Sequence, residues 1–131
     1  MYYIIYGFLY LISLIPFFIL YFISDCIYFL LYRVLAYRKE VVMYNLSIAF
    51  PEKSVEERKA IAKKFYKNLI DTFIESIKML SLSERQFDKR VTIDIAAANE
   101  LAVKGKSIQF HCGHQMNWEY CILIMAKHLK T

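Results

Sequence analysis

Hydrophobic and polar positions divide the chain into an uncharged head and a body in which short patterns alternate. Residues Tyr2 to Ile23 carry no charge, and Asp25 is the only charge before Arg33. A run of that length reaches the roughly 20 residues that a helix needs to cross a hydrocarbon core. Pro16 interrupts it, because proline removes a backbone donor and clashes with the preceding turn. The head therefore predicts either one kinked spanning helix or a short helix followed by one lying partly in the membrane interface. A buried helix of a soluble core is the competing reading, which the length of the run disfavours. The tyrosines from Tyr2 to Tyr37 suit headgroup depth, where a ring is buried and its hydroxyl stays wet. No basic residues precede the run and no small-residue cleavage site follows it, so it is not a clean signal peptide.

The body reads as helices first and mixed elements later. From Arg33 to Ala49 the pattern is helical, with Val34, Val41, Val42, Leu46 and Ile48 as an inner face. Phe50-Pro51 breaks it, since the residue before proline is pushed out of the helical region. Ser54 with Glu57 three residues on is a capping box, and it predicts a helix to about Leu80. On that helix Ile61, Phe65, Leu69, Phe73, Ile77 and Leu80 form one apolar stripe, predicted to face inward. Asp71 and Glu75 stand four apart, but Lys67 four before and Lys78 three after read as ordinary surface partners. Leu82 to Arg90 is polar, with Ser83 and Glu84 suited to a short helical turn.

Val91 to Ile95 alternates apolar and polar around β-branched residues and predicts a half-buried strand. Ala96 to Lys104 is helical, with Gly105 as its C-terminal stop. Ser107 to Phe110 predicts a second strand, and a last helix runs from about Asn117 to Leu129, with Tyr120, Ile122, Leu123 and Ala126 apolar. Strands alternating with helices give an α/β class. Two strands are fewer than a stable sheet holds, so the pattern predicts an incomplete α/β fold. The expected division is a membrane-anchoring helical region over residues 1–32 and, over residues 33–131, the N-terminal part of an α/β domain that the pattern predicts to be truncated.

Charge sharpens this picture. The net charge is +5 over 131 residues, and all 17 Lys and Arg lie at or after Arg33. Arg33, Arg38 and Lys39 directly follow the head and place the remainder on the cytoplasmic side by the positive-inside bias. Nucleic acid is a poor partner, because the aromatics concentrate in the head rather than among the basic residues. Cys26, Cys112 and Cys121 form no regular framework, which suits a reducing compartment. Cys26 reads as a small buried hydrophobe.

Candidate chemistry converges on the stretch from Ser107 to Glu119. A strand stops at Gly113, turns at His114 and feeds a helix that carries Glu119, five positions after the histidine. Such a corner can hold a general base at an open edge, with an acid nearby to orient it. A structural histidine is the plainer reading of any single His, and it is the reading taken for His111. Metal is a further one, since His111, Cys112, His114 and Cys121 are soft ligands close together. Successive strand residues point to opposite faces, however, and none of the usual zinc spacings occurs, so no metal is expected.

These residues carry a family resemblance. The chain resembles the bacterial lipid A biosynthesis (late-step) acyltransferases of the lysophospholipid acyltransferase superfamily, over the N-terminal part of that family. The apolar head is followed by basic residues. Asn45-Leu46-Ser47-Ile48-Ala49-Phe50-Pro51-Glu52 with Glu56-Glu57-Arg58 is similar to the segment ahead of the family's long helix. His114-Gln115-Met116-Asn117-Trp118-Glu119 matches its histidine-four-residues-acid motif, although Met116 stands where relatives often have glycine.

The resemblance implies a membrane-associated enzyme of the bacterial inner membrane. It would move a fatty acyl group from a carrier thioester to a hydroxyl of a lipid A precursor. A lysophospholipid or an amino-acid lipid is the other acceptor class. His114 would be the general base and Glu119 its orienting acid, with Asn117 and Gly113 supporting the turn and Trp118 packing beside it. An acyl-carrier protein or coenzyme A would deliver the thioester as co-substrate, with no bound cofactor. A non-catalytic membrane-associated fragment is the rival from another class.

Overall fold

The computed structural model describes residues 2–113 and 117–129. Helix α1 (Tyr2–Ser13) and helix α2 (Phe17–Phe29) are separate, with Pro16 in an extended conformation between them. The proline thus ends one helix and starts the next. α2 runs on without a break into a π-helical turn, Leu30–Val34. Together Phe17–Val34 give 18 residues of mean hydropathy 1.7, long and apolar enough to cross a membrane.

The expected helix from Arg33 begins later than predicted. Ala36 and Arg38 adopt left-handed φ angles of 47° and 51°, and helix α3 spans Lys39–Ala49. Two non-glycine residues in that region are costly. Surrounding contacts hold the turn: the Tyr66 hydroxyl donates to the Tyr37 carbonyl, and the Lys39 ammonium lies 4.5 Å from the Tyr32 ring centre.

Helix α4 (Val55–Lys78) is the axis on which the head is packed. Its start follows the sequence closely. Ser54 Oγ accepts from the Glu57 N–H, and the Glu57 carboxylate accepts from the Ser54 N–H at 2.8 Å. The Ser54 backbone bond, then its hydroxyl, hold the Glu57 carboxyl below the usual glutamate range. A carboxyl with a depressed folded pKa stabilises above its unfolded value, about 4.3, and loses that contribution as pH falls through the folded value. The first turn of α4 should therefore lose amide protection below about pH 4. Hydrogen exchange at the Ser54 amide checks this, and Glu57→Gln, which still accepts the bond but does not titrate there, should show no such step.

The inward face of α4 differs from the predicted stripe. Ala62, Tyr66, Ile70, Ile74 and Lys78 are buried, whereas Phe65 is 45% exposed and Phe73 64%. The two rows adjoin, one residue and about 100° apart around the helix. Periodicity marks a wide apolar surface without specifying which strip a partner covers. Leu20 packs on Ile70 and Ile74, joined by Ile12, Ile15, Ile27 and Leu31. Further along, Tyr32 packs on Ala62 and Tyr66 beneath Val42, Met43 and Leu46 of α3. Small Ala62, fully buried, is where the aromatic rings fit against the α4 backbone. Val34, Val41 and Ile48, predicted to face inward, are exposed, and Cys26 is exposed rather than buried.

A 3₁₀ turn at Met79–Ser81 closes α4, near the predicted end, and α5 (Glu84–Asp88) follows with its own capping box from Ser83 and Gln86. Helix α6 (Ala96–Val103) ends at Gly105 with φ 66°. The Gly105 N–H bonds to Ala102 O and the Lys106 N–H to Leu101 O, a Schellman closure that requires the left-handed residue. Helix α7 spans Trp118–His128. Phe87, Tyr120 and Ile124 form a second small core with Met79, Leu82, Val91 and Ile93. Of the apolar residues on α7, Tyr120 is buried, whereas Ile122 and Leu123 are exposed.

Neither predicted strand forms among the described residues, so these residues show a helical assembly in place of the expected α/β class. The alternation in Val91–Ile95 is nevertheless real: Val91, Ile93 and Ile95 are half-buried while Thr92 and Asp94 are exposed. Val91 and Ile93 bury against α5 and α7 without a neighbouring strand. A strand is defined by its hydrogen-bonded partner, and the extended segment has none here.

Candidate functional site

The site is built where α7 begins. Asn117 is the N-cap of α7: its Oδ1 accepts from the Tyr120 N–H at 3.3 Å. Glu119 lies in the first turn of α7 and is exposed, as is Gly113. Trp118 between them is half-buried. His114 lies outside the described residues, so the proposed base and its acid are compared by sequence alone. The first turn of α7 presents backbone N–H groups and the positive end of the helix dipole beside the motif.

The acid pair on α4 belongs to this region, which overturns its reading as a lysine-paired surface feature. Lys67 pairs with Asp25 of α2, and Lys78 donates to the Ser13 and Ile15 carbonyls at 2.6 and 3.0 Å. Neither lysine bonds directly to Asp71 or Glu75, although the Asp71 charge still acts on Lys67 at longer range. The Asp71 carboxylate instead accepts from the Ser24 hydroxyl of α2. Glu75 takes two donors, the Tyr21 hydroxyl at 2.7 Å and Asn117 Nδ2 at 3.1 Å.

A sequence signal for this exists in α2. Tyr21, Ser24, Tyr28 and Tyr32 make a polar-tipped row at helical spacing in an otherwise apolar segment, the mark of a helix facing a polar partner. The Asn117 cap itself is legible from the residue type.

Asp71, Glu75, Arg90, Asn117 and Tyr120 line a cleft of about 610 Å³ between α4, the Arg90–Ile93 segment and α7. Arg90 stacks its guanidinium 3.4 Å from the Phe17 ring centre. Tyr120 is 8% exposed, and its hydroxyl has no hydrogen-bond partner among the described residues. Burial, with the Glu75 charge adding, pushes that hydroxyl's pKa up to about 12, so it stays protonated.

Burial likewise raises the Cys121 thiol, with Cys112 beside it adding, which makes Cys121 a poor nucleophile at neutral pH. His111 and Cys112 are exposed. Among the described residues no three His, Cys, Asp or Glu side chains converge as metal ligands would.

Comparison with protein-family models matches residues 1–131 to the bacterial lipid A biosynthesis acyltransferase model. No curated protein and no solved structure gives a significant match.

Proposed function

The chain belongs to the bacterial lipid A biosynthesis acyltransferase family, and from that premise we propose that it moves a fatty acyl group from a carrier thioester to a hydroxyl of a lipid A precursor. The observation that carries this reading is the family match over the whole chain, with His114 and Glu119 flanking the N-terminus of α7 in sequence.

A lipid hydroxyl is a poor nucleophile until a base within about 3 Å accepts its proton. His114 takes that proton, and Glu119 orients the ring and stabilises the imidazolium. The oxygen attacks the thioester carbonyl carbon, and the oxyanion that forms is met by backbone N–H groups at the start of α7. The C–S bond then breaks, the new ester remains, and the carrier thiolate takes the proton back from His114.

The family is usually membrane-associated, and the head supplies a surface for it. Phe18, Phe22 and Phe29 on α2 and Leu11 and Leu14 near α1 are more than half exposed. Apolar side chains of this size gain about 1.5–3 kcal/mol each when removed from water. We read this face as the one that meets lipid, with the site on the cytoplasmic side of the inner membrane and an acyl-carrier protein or coenzyme A as donor. The alternating burial of Val91–Ile95 supports that segment as sheet-forming once paired.

Offering three acceptors in vesicles, a lipid A precursor, a lysophospholipid and an amino-acid lipid, tests the assignment. Preferred esterification of the sugar lipid is expected; preference for either other acceptor would move the substrate to that class.

A further inference from the structure

We propose that Glu75 is a positioning residue for the His114–Glu119 motif, tying Asn117, the cap of the helix that carries Glu119, to the apolar head; the proposal rests on the acyltransferase reading above. Each carboxylate oxygen of Glu75 is used by a different element. One accepts from Tyr21 of α2, 54 residues away in sequence, and the other from Asn117, 42 residues away. Asn117 is committed at both ends of its amide, Nδ2 to Glu75 and Oδ1 to the Tyr120 N–H.

That double use fixes the amide's orientation, because the opposite one would face oxygen with oxygen and N–H with N–H. Asn117 stands three residues after His114 and two before Glu119. A shift of Asn117 is therefore a shift of the motif, and a displacement of about 1 Å can cost on the order of 100-fold in rate. A carboxylate suits the role because it accepts from two donors at once, whereas a glutamine at the same place turns an amide N–H toward one of them.

Asp71, one turn earlier on α4, provides the contrast. It ties Ser24 of α2 to α4 in the same way. Both acids join the head to α4, and among the described residues only Glu75 of the two bonds to Asn117, the α7 cap.

The test uses the full chain on vesicles with four variants: Ser24→Ala, Glu75→Gln, Asn117→Asp and the double variant Glu75→Gln/Asn117→Asp. The readouts are kcat for acyl transfer, fluorescence of Trp118, which is the only tryptophan, and the unfolding midpoint. Asn117→Asp keeps the cap acceptor but sets two carboxylates together, so kcat should fall about tenfold or more and the Trp118 emission should shift. In the double variant the amide introduced on α4 donates to the carboxylate introduced at the cap, while its oxygen still accepts from Tyr21. There kcat should return to within about threefold of the original, the coupling that contacting residues show. Glu75→Gln alone sets two amides together and should lower kcat in the same direction as Asn117→Asp. Ser24→Ala, which removes the α2 bond to Asp71 without changing a residue that lines the cleft, should lower the midpoint and leave kcat and emission unchanged.

Unchanged kcat in Asn117→Asp, or a double variant no better than the single, overturns the proposal. If even the unmodified protein transfers no acyl group, the acyltransferase reading falls and the Trp118 emission decides the tie alone. A shift in Asn117→Asp reversed in the double variant then supports it, and no shift overturns it.

Discussion

His114→Ala is expected to lower kcat for acyl transfer by about 10²–10⁴-fold while vesicle binding is retained. Without the imidazole, nothing in the motif accepts the proton of the acceptor hydroxyl as it attacks, and Glu119, a weaker base, sits five residues along on α7. Vesicle binding is expected to persist because the head packs on α4 through Leu20, Ile70 and Ile74, a core separate from the one that seats α7. Equal rates in the two proteins would remove His114 from the mechanism.

Replacing Lys78 is the change expected to cost most stability. Pro16 breaks the chain between α1 and α2, and the carbonyls at that break need donors. Lys78, 7% exposed, supplies them to Ser13 and Ile15, and the Ser81 hydroxyl adds a second bond to Ser13 at 2.6 Å. Lys78→Met keeps most of the volume and removes both ammonium bonds. An unpaired buried carbonyl costs about 1–3 kcal/mol, and a loss of about that size is expected, because Ser81 still covers Ser13 and only the Ile15 carbonyl is left without its donor.

The charge adds a pH signature. Burial, with the Arg90 charge adding, lowers the Lys78 pKa below the usual lysine value. The folded state then binds fewer protons than the unfolded one in the window just below that value. This group's contribution to stability therefore rises with pH there. Urea unfolding at several alkaline pH values checks both points: the methionine variant should be less stable and lack that rise. A variant as stable as the original would show that the elbow needs no cation.

What can be read from the sequence follows the range of the interactions. The Ser54–Glu57 box, the Gly105 closure and the Asn117 cap involve partners within a few residues, and all three form as the residue types predict. The stop of α3 before Pro51 is local in the same sense. Periodicity misplaces the covered strip of α4 by one residue because two adjoining rows are both apolar, and only packing against α2 and α3 chooses between them.

Asp71 and Glu75 have lysines at the right local spacing, but the competing partners lie on α2 and before α7, 42 to 54 residues distant. The two predicted strands are missing among the described residues for a related reason. Alternation shows which side of Val91–Ile95 is buried, but a strand also needs a neighbour that no local pattern supplies. In the candidate site, the motif and its cap are legible in the sequence, whereas the Tyr21–Glu75–Asn117 connection is not.

The most direct measurement is transfer of a labelled acyl group from a carrier thioester to lipid A precursor in vesicles, scored as the acylated lipid formed. Ester formation proportional to protein and about 10²-fold or more slower in His114→Ala is the expected result; thioester consumption without acylated lipid, or equal product from the alanine variant, would contradict it.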